Sequence, residues 1–555
     1  MPTLEVSKKD FEKLVGKKFS KTELEEALEF VKGEIDFYED DLLKVDCKET
    51  NRPDLWSTEG LAREIKARIG KEKGIRKYEV KKGSIEVFID NNIEKIRPLI
   101  ACAVVRNVII DNDFIIQMVQ LQEKVGETFG RKRKEAGIGL YDLDIMQPPV
   151  YYKGFKDEEI EFIPLEWKVP MRPSEILLQH EKGKSYKHLL EGVKYYPIVI
   201  DSNNTVASMP PIINSQITGK VTENTKNLFI EVTGFNWDNI ETALEVMCMA
   251  LADRGGKIES CKINFPLTKK PYPGKKSILT PLFETKKIVF EKNLIEKKTG
   301  LKLKDSEIKS LLEKARYNVI IKGSKVIAEH PSYRRDIFHA VDVIEDLLIS
   351  FGYNNIVPKK IELSVVGSQR PEILLNDFVR EGCIGLGLQE IQTYNLTSKE
   401  IQSENMQLFE EVDSFVEIAN PVSQNYSILR KRITPQVLSF LSKNKSQLYP
   451  QGVFEIGSCL ELDSSKDNGV IETNNLCVAL TGTNVDFTKI KSMLITITEY
   501  AGFKTTINKK NYSFLEIGAE IIVNGKKGFI GLINKKTEQA FGLKKPVVLF
   551  EFPIN

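Results

Sequence analysis

The hydrophobic pattern changes period along the chain. Near the start, Phe11, Leu14, Val15, Leu24, Ala27, Leu28 and Val31 recur at helical spacing, ahead of an extended stretch around Leu42 to Val45. The run KETNRPDLWSTEGLAREIKARIG predicts a helix capped by Ser57 or Thr58, with Leu61, Ile65 and Ile69 inward and Gly70 at its end. From about Ser84 the period shortens. IEVFID, ACAVVRNVII and NLFIEVTG read as buried strands, and KYYPIVIDSNNTVASMPPIINS as strand, turn and strand. IIQMVQLQEKVGETF and NIETALEVMCMALADRGG are helical by period, and the run PLTKKPYPGKK closes the segment. Next come two helices, FEKNLIEKKTG and KDSEIKSLLEKARY, a strand pair, and a helix from about Val341 to Phe351. That order suggests a compact winged-helix type of module. The remainder alternates helices with the strands GVFEIG, NNLCVALTG, EIIVNGKKGFIGLI and VVLFEF, and Asn524-Gly525 marks a hairpin turn.

The expected fold class is a mixed α+β multidomain chain. An N-terminal α/β domain covers 1–83, a mixed domain 84–271, a winged-helix-like domain 272–358 and a last domain 359–555. The length of 555 residues agrees with roughly three to four domains at about 150 residues each. Hydrophobic residues at 41% and charged residues at 28% describe a globular chain and exclude a disordered polyelectrolyte. Lys plus Arg number 80 against 78 for Asp plus Glu, so any nucleic-acid contact comes from a local patch. No stretch approaches the ~18 apolar residues of a membrane helix. The start, MPTLEVSKKDFEKL, lacks a signal-type apolar core. The 7 cysteines form no C-x-x-C, which points to a reducing, cytoplasmic setting.

Familiar catalytic motifs are missing. PGKKS at Pro273 to Ser277 lacks the upstream glycine of a phosphate loop, and GLGLQE at Gly385 to Glu390 lacks the third glycine of a dinucleotide fingerprint. His180 and His188 sit without clustered Cys or Asp, so a metal role is the minority reading. The run Arg131-Lys132-Arg133-Lys134 fits either a solvated loop or phosphate contact. Arg52 and Arg63, beside Pro53-Asp54 and a capped helix, read as structural. In HPSYRRDIFHAVDVIEDLLISFGY, Asp336 is placed to cap a helix whose buried stripe is Ile337, Val341, Ile344, Leu348 and Phe351. Asp342, Glu345 and Asp346 share its opposite face. Spacing alone leaves a solvated acidic face or a hard-cation site open.

Three passages in order, NRPDLWSTEGLAREI, HPSYRRDIFHAVDVIEDLLISFGYNNI and NPVSQNYSILRKRITPQVLSFLSKN, resemble the beta subunit of phenylalanine–tRNA ligase. A fourth, PPIINSQITGKVTENTKNLFIEVTG, is similar to the archaeal and eukaryotic-cytosolic branch. The resemblance implies a partner alpha subunit in an α2β2 heterotetramer, tRNA(Phe) as second partner, and ATP as substrate of the heteromer. It implies a class II synthetase-like antiparallel-sheet core over 359–555 without a working synthetic site. In agreement, no strand-like stretch of that segment carries an Arg-x-Glu of the ATP-gripping kind or a Gly-rich arginine motif. It also implies Mg²⁺, shared with the alpha subunit, on Asp336, Asp342, Glu345 and Asp346. The remaining reading is a stand-alone tRNA-binding or scaffold protein without synthetic activity.

The resemblance further implies that 84–271 is an editing domain for tyrosine wrongly joined to tRNA. An apolar pocket for phenylalanine rejects tyrosine, which only adds a hydroxyl, by about a hundredfold. A second, polar pocket can demand that hydroxyl instead. Similarity to the archaeal motif assigns Ser208, Asn214, Glu231 and Thr233 to it. Strand alternation puts Glu231 and Thr233 on one face of NLFIEVTG. From the residues alone, Asn214 and Ser215 equally build a turn.

Overall fold

The computed structural model describes residues 2–110 and 112–554. They divide into two compact units, one ending at Lys359 and one beginning at Lys360.

The first unit opens with a three-stranded sheet of Thr3–Ser7, Leu42–Cys47 and Gly33–Glu39, in that spatial order. Two helices, Lys8–Val15 and Lys21–Glu29, carry the apolar positions read above except Val31, which follows the second. Helix α1 (Thr58–Arg68) follows, capped by the Ser57 side chain, which accepts from the Gly60 N–H.

A ten-stranded sheet then occupies most of the unit. Its elements in chain order are β1 (Val80–Ile89), β2 (Leu99–Arg106), α2 (Asn112–Lys124), β3 (Gly137–Asp142) and β4 (Val150–Phe155). After them come β5 (Tyr196–Ile200), β6 (Val206–Met209), β7 (Ile213–Asn214), β8 (Leu228–Gly234), α3 (Trp237–Asp253), β9 (Lys257–Asn264) and β10 (Ser277–Thr280). The spatial order is β7-β6-β5-β4-β1-β9-β2-β8-β3, and β10 pairs with β9. The sheet therefore continues past Pro271 to Thr280. Every residue of β8 is buried, and α3 packs on β2 and β8.

The two end strands of this sheet approach each other. Asn214 on β7 donates through Nδ2 to the Leu140 carbonyl on β3 at 3.2 Å. The Asp142 N–H, also on β3, donates to Thr218 O at 2.8 Å. The sheet thus curls most of the way to a barrel, which removes free edges and leaves a seam between the β3 and β6–β7 walls.

The third module has strands Thr285–Glu291, Asn318–Lys322 and Lys325–Pro331, with helices Asn293–Thr299, Asp305–Lys314 and α4 (Ala340–Phe351). Phe290 and Glu291, expected to begin a helix, end a strand paired with Lys325–Pro331. Their backbones complete the three-stranded sheet. Helix α4 also departs from expectation. His339 is its N-cap residue, and Asp342 accepts at Oδ2 from the N–H groups of Phe338 and His339. Asp336 is not a cap. The buried face is Val343, Ile344 and Leu347, whereas Val341 is exposed. Asp346, expected on the outer face, lies on this buried one.

Its burial has a physical reason. Asp346 accepts from Arg68 Nη2 at 2.7 Å, Arg334 Nη2 at 2.6 Å and the Tyr317 hydroxyl at 2.8 Å. Arg68 also holds Glu64 at 2.9 Å, and Arg334 holds Asp336 at 2.6 Å. Arg52 makes a bidentate pair with Asp54 at 2.9 and 2.8 Å and stands 3.6 Å from Glu64 and 3.9 Å from Asp336. Arg52, Glu64, Arg68, Asp346, Arg334 and Asp336 thus close a ring of alternating sign, which joins α1 to α4.

Burial alone would raise the Asp346 carboxyl, but Arg334 and Arg68 outweigh it and hold it well below the usual carboxylate range. Burial is likewise outweighed at Asp336 by Arg334 and Arg52, and at Glu64 by Arg68 and Arg52.

The second unit is a seven-stranded, mainly antiparallel sheet with helices Pro371–Gly385, Thr434–Lys443 and Phe487–Tyr500 among its elements. Asn524 and Gly525 join two of its strands with φ of 49° and 84°, the paired left-handed conformation that the Asn-Gly dipeptide favours. Arg430 and Glu455 form a buried pair at 2.6 Å inside it. Nearby, Glu551 accepts from the N–H of Ile433, from the N–H and hydroxyl of Thr434, and from the Asn475 amide.

Replacing Asp346 by Ala takes the shared carboxylate from two buried guanidinium groups, which keep Glu64 and Asp336, and should cost about 3–5 kcal/mol, measured by denaturant unfolding of the chain. Carboxyls lowered in the folded state stabilise it above their unfolded values near pH 4, and that stability drains as pH falls toward the lower native values. The wild-type chain should therefore lose stability below about pH 4, and Asp346→Ala should lose less over the same range. An unchanged acid limb in the variant would remove the ring from the account.

Candidate functional site

A cavity of about 500 Å³ opens at the seam of the large sheet. Ser208 on β6, Asn214 on β7 and Glu231 on β8 all line it. Ser208 and Asn214 are direct cross-strand partners in the β6–β7 hairpin. The rest of the wall includes Leu140 from β3, Pro211 from the hairpin turn and Met118 from α2. Leu165 and Lys182 come from the segment between β4 and β5.

Two lining residues, Ser208 and Glu231, are bridged from behind the cavity wall by a residue the motif reading did not single out. The Tyr141 hydroxyl on β3 lies 2.7 Å from Ser208 Oγ and 2.9 Å from Glu231 Oε1. It has one proton to give. With Glu231 ionised, that proton goes to the carboxylate, and Ser208 donates to Tyr141. The other carboxylate oxygen, Glu231 Oε2, is buried with no partner among the described residues. Burial pushes the Glu231 carboxyl up to about 7, against the lowering effects of the Tyr141 hydrogen bond and the Arg97 charge.

Space for this arrangement is left by glycine. Gly139 faces Glu231 across the β3–β8 pairing. A Cβ there would lie 2.0 Å from the Tyr141 hydroxyl and 2.7 Å from Glu231 Oε1. GIGLYD reads as a strand whose inner face is Gly137, Gly139 and Tyr141. The signal was the spacing of two glycines and a tyrosine at period two.

Thr233 shares a sheet face with Glu231, as alternation predicts, but it does not line the cavity. Its hydroxyl accepts from Arg97 Nε at 2.8 Å. The same guanidinium donates to the Thr233 carbonyl, to Arg133 O at 3.0 Å and to Lys134 O at 2.9 Å. Arg97 is fully enclosed by neutral acceptors. Burial lowers it to about 10, with Tyr152 and Glu231 acting in the opposite direction. Thr233 therefore fixes the loop at 131–134 through Arg97. In that loop Arg133 reaches Ile212 O at 3.0 Å, lies over the Tyr186 ring and borders the cavity. Arg131 and Lys132 remain exposed.

Ser215 is a turn residue, with its hydroxyl 3.1 Å from that of Thr218. His180 accepts from the Lys182 N–H and lies 3.2 Å from the Leu165 carbonyl, a structural role. Arg52 and Arg63 are buried in ion pairs, consistent with their structural reading.

The acidic residues of the third module do not converge. Asp346 and Asp336 are held by arginines, Asp342 caps its helix, and Glu345 pairs with Lys32 at 2.8 Å near the surface. A cation on Asp346 would have to displace Arg68 and Arg334. These residues do not fit a Mg²⁺ site, and among the described residues no group of three or more His, Cys, Asp or Glu is placed to hold a metal ion.

The chain matches the family described as the tRNA synthetase B5 domain over residues 288–353, and the phenylalanyl tRNA synthetase beta chain CLM domain over 356–554. It is 44% identical to the phenylalanine–tRNA ligase beta subunit of Pyrococcus horikoshii, over 99% of this chain and 98% of that relative. This chain belongs to the phenylalanine–tRNA ligase beta-subunit family. A Methanosphaera stadtmanae member of the phenylalanine–tRNA ligase beta-subunit family is 32% identical over 99% of both chains. A crystal structure of an N-terminal fragment of the Pyrococcus horikoshii phenylalanyl-tRNA synthetase beta subunit is similar with a TM-score of 0.60 and 46% identity. It covers 63% of this chain and 100% of the fragment.

Thr233→Val keeps the shape of β8 but leaves an Arg97 N–H buried without its acceptor. The expected loss is about 1–3 kcal/mol of stability, read by thermal unfolding. Wild-type stability would show that the Thr233 hydroxyl does not hold the loop.

Proposed function

We propose that this chain acts as the beta subunit of a heteromeric phenylalanine–tRNA ligase. With an alpha subunit, in an α2β2 assembly, it joins phenylalanine to tRNA(Phe) using ATP. In its own seam cavity it hydrolyses tyrosine wrongly attached to that tRNA. The observation that carries the editing role is the buried Glu231 Oε2, without a partner among the described residues, on a side chain that lines a cavity of about 500 Å³.

That oxygen suits a phenol. A tyrosine hydroxyl donates to Oε2, whereas a phenyl ring would leave the buried acceptor dry and unpaired, at about 1–3 kcal/mol. The asymmetry runs opposite to that of an apolar synthetic pocket, which is what a second sieve requires. Ser208 and Tyr141 support the carboxylate, Asn214 closes the seam, and Thr233 fixes the neighbouring loop through Arg97. For the ester itself, water attacks the carbonyl carbon, backbone N–H groups stabilise the oxyanion, and the ribose hydroxyl departs with a proton. The cysteines are all buried and free, and burial raises the Cys102 and Cys261 thiols, so neither acts as a thiolate nucleophile.

Synthesis belongs to the alpha subunit in this reading. The second unit fills its interior with the Arg430–Glu455 pair and the Glu551 network, and its segment lacks an ATP-gripping motif. It serves as a pairing surface.

Two outcomes follow. The chain alone should catalyse no ATP–pyrophosphate exchange with phenylalanine, while mixing it with the alpha subunit should restore synthesis. Robust exchange by the beta chain alone would sink the division of labour. In the reconstituted heteromer, Glu231→Ala should slow tyrosyl-tRNA hydrolysis by about tenfold or more and leave phenylalanine charging near wild type. Clearance of tyrosyl-tRNA at the wild-type rate would place the editing site elsewhere.

A further inference from the structure

We infer that Tyr141 is the positioning residue that makes the cavity selective for an amino acid bearing a hydrogen-bond donor at the para position. This rests on the editing role assigned to the cavity, and it explains how the recognising oxygen is chosen.

A free carboxylate can turn about its last bond, and either oxygen can then meet the ligand. Here the Tyr141 hydroxyl holds Oε1 at 2.9 Å and is itself anchored at 2.7 Å by Ser208 across the seam. Gly139 leaves room for that contact, because any side chain there would collide with both atoms. The ring of Tyr141 packs against Phe229 on the same side of the sheet, with centroids 6.1 Å apart. Its position therefore does not depend on the hydroxyl. The outcome is one oxygen held by Tyr141 and one buried oxygen without a partner among the described residues, and a carboxylate oxygen accepts only. A para substituent must bring a proton.

The second consequence concerns charge. Glu231 must be ionised to present an acceptor, and it is buried. The Tyr141 hydrogen bond favours the ionised form, as does the Arg97 charge behind β8. Removing the hydroxyl leaves burial less opposed, so the carboxyl protonates at higher pH. A protonated Glu231 can present its own O–H, and the demand for a donor on the ligand is lost.

The test uses the reconstituted heteromer with four tRNA esters: tyrosyl, 4-aminophenylalanyl, 4-methoxyphenylalanyl and phenylalanyl. Wild type should hydrolyse the first two, which carry donors, and spare the last two. Tyr141→Phe removes one oxygen and keeps the ring on Phe229. It should narrow the tyrosyl-to-phenylalanyl ratio of kcat/KM by about tenfold and move the acid limb of tyrosyl hydrolysis to higher pH. Phenylalanine charging by the same preparation reports that the heteromer is assembled. Gly139→Ala, which drives a methyl group at the same hydroxyl from β3, should act in the same direction.

If both variants keep the wild-type ratio and pH profile while Glu231→Ala has lost editing, Tyr141 is only structural and the inference fails. Hydrolysis of 4-methoxyphenylalanyl-tRNA by wild type as fast as tyrosyl-tRNA would overturn it as well. If Glu231→Ala itself edits normally, the reading of the cavity fails first.

Discussion

Buried charge is tolerable only in company, and the ring through Arg52, Glu64, Arg68, Asp346, Arg334 and Asp336 is where this molecule depends on that rule. Each ion in it would cost several kcal/mol to desolvate singly. Each is held by partners of opposite sign, two of the links (Arg68–Asp346 and Arg52–Asp336) join distant parts of the chain, and Tyr317 takes up remaining acceptor capacity on Asp346. The ring explains why the passages around residues 52–68 and 334–346 both carry so many charges at positions where helices usually turn apolar faces inward. It ties α1 to α4 across 278 positions of sequence. The large sheet, whose core is continuous with that of the N-terminal module, is seated against that joint.

The cavity uses the same chemistry with the opposite sign. Asp346 has a full set of donors, and its carboxyl is held low. Glu231 has one donor, on one oxygen, and burial pushes its carboxyl up to about 7. The difference is the number of partners, not the residue type. One carboxylate is completed by the fold and stabilises it. The other has one oxygen without a partner among the described residues, and the proposed editing role rests on that oxygen. Glu241 and Glu245 on α3 are a third case. They are raised by burial to about 7 and about 8, and they accept from the N–H groups of Leu282 and Phe283 at the start of the third module.

The sequence made the elements legible where a single period runs unbroken: the helices before residue 31, α1 with its Ser57 cap, β8, α3, and the Asn524-Gly525 hairpin. Ser208, Asn214 and Glu231 were legible by resemblance and do meet at one cavity. What escaped was set by partners far away in sequence. Periodicity places Asp346 beside Asp342 and Glu345, but it cannot report that Arg68 and Arg334 arrive to bury it. Thr233 was placed correctly on its strand face and wrongly in the cavity, because Arg97 stands between. Tyr141 was missed because the glycines beside it weaken the strand signal, although they are what make room for it.

The seam has an evolutionary consequence. The wall that carries Glu231 belongs to β3 and β8, inside the core of the sheet. The wall that covers it belongs to β6, β7 and the segment between β4 and β5, which has an apolar core of its own. Few hydrogen bonds join the two walls, among them Tyr141 to Ser208 and Asn214 to Leu140. Outside Ser208, which anchors Tyr141, the cover can therefore drift in length and shape while the carboxylate keeps its setting. Under the proposed editing role, a lineage could alter how large a substrate is admitted without altering which functional group is demanded of it.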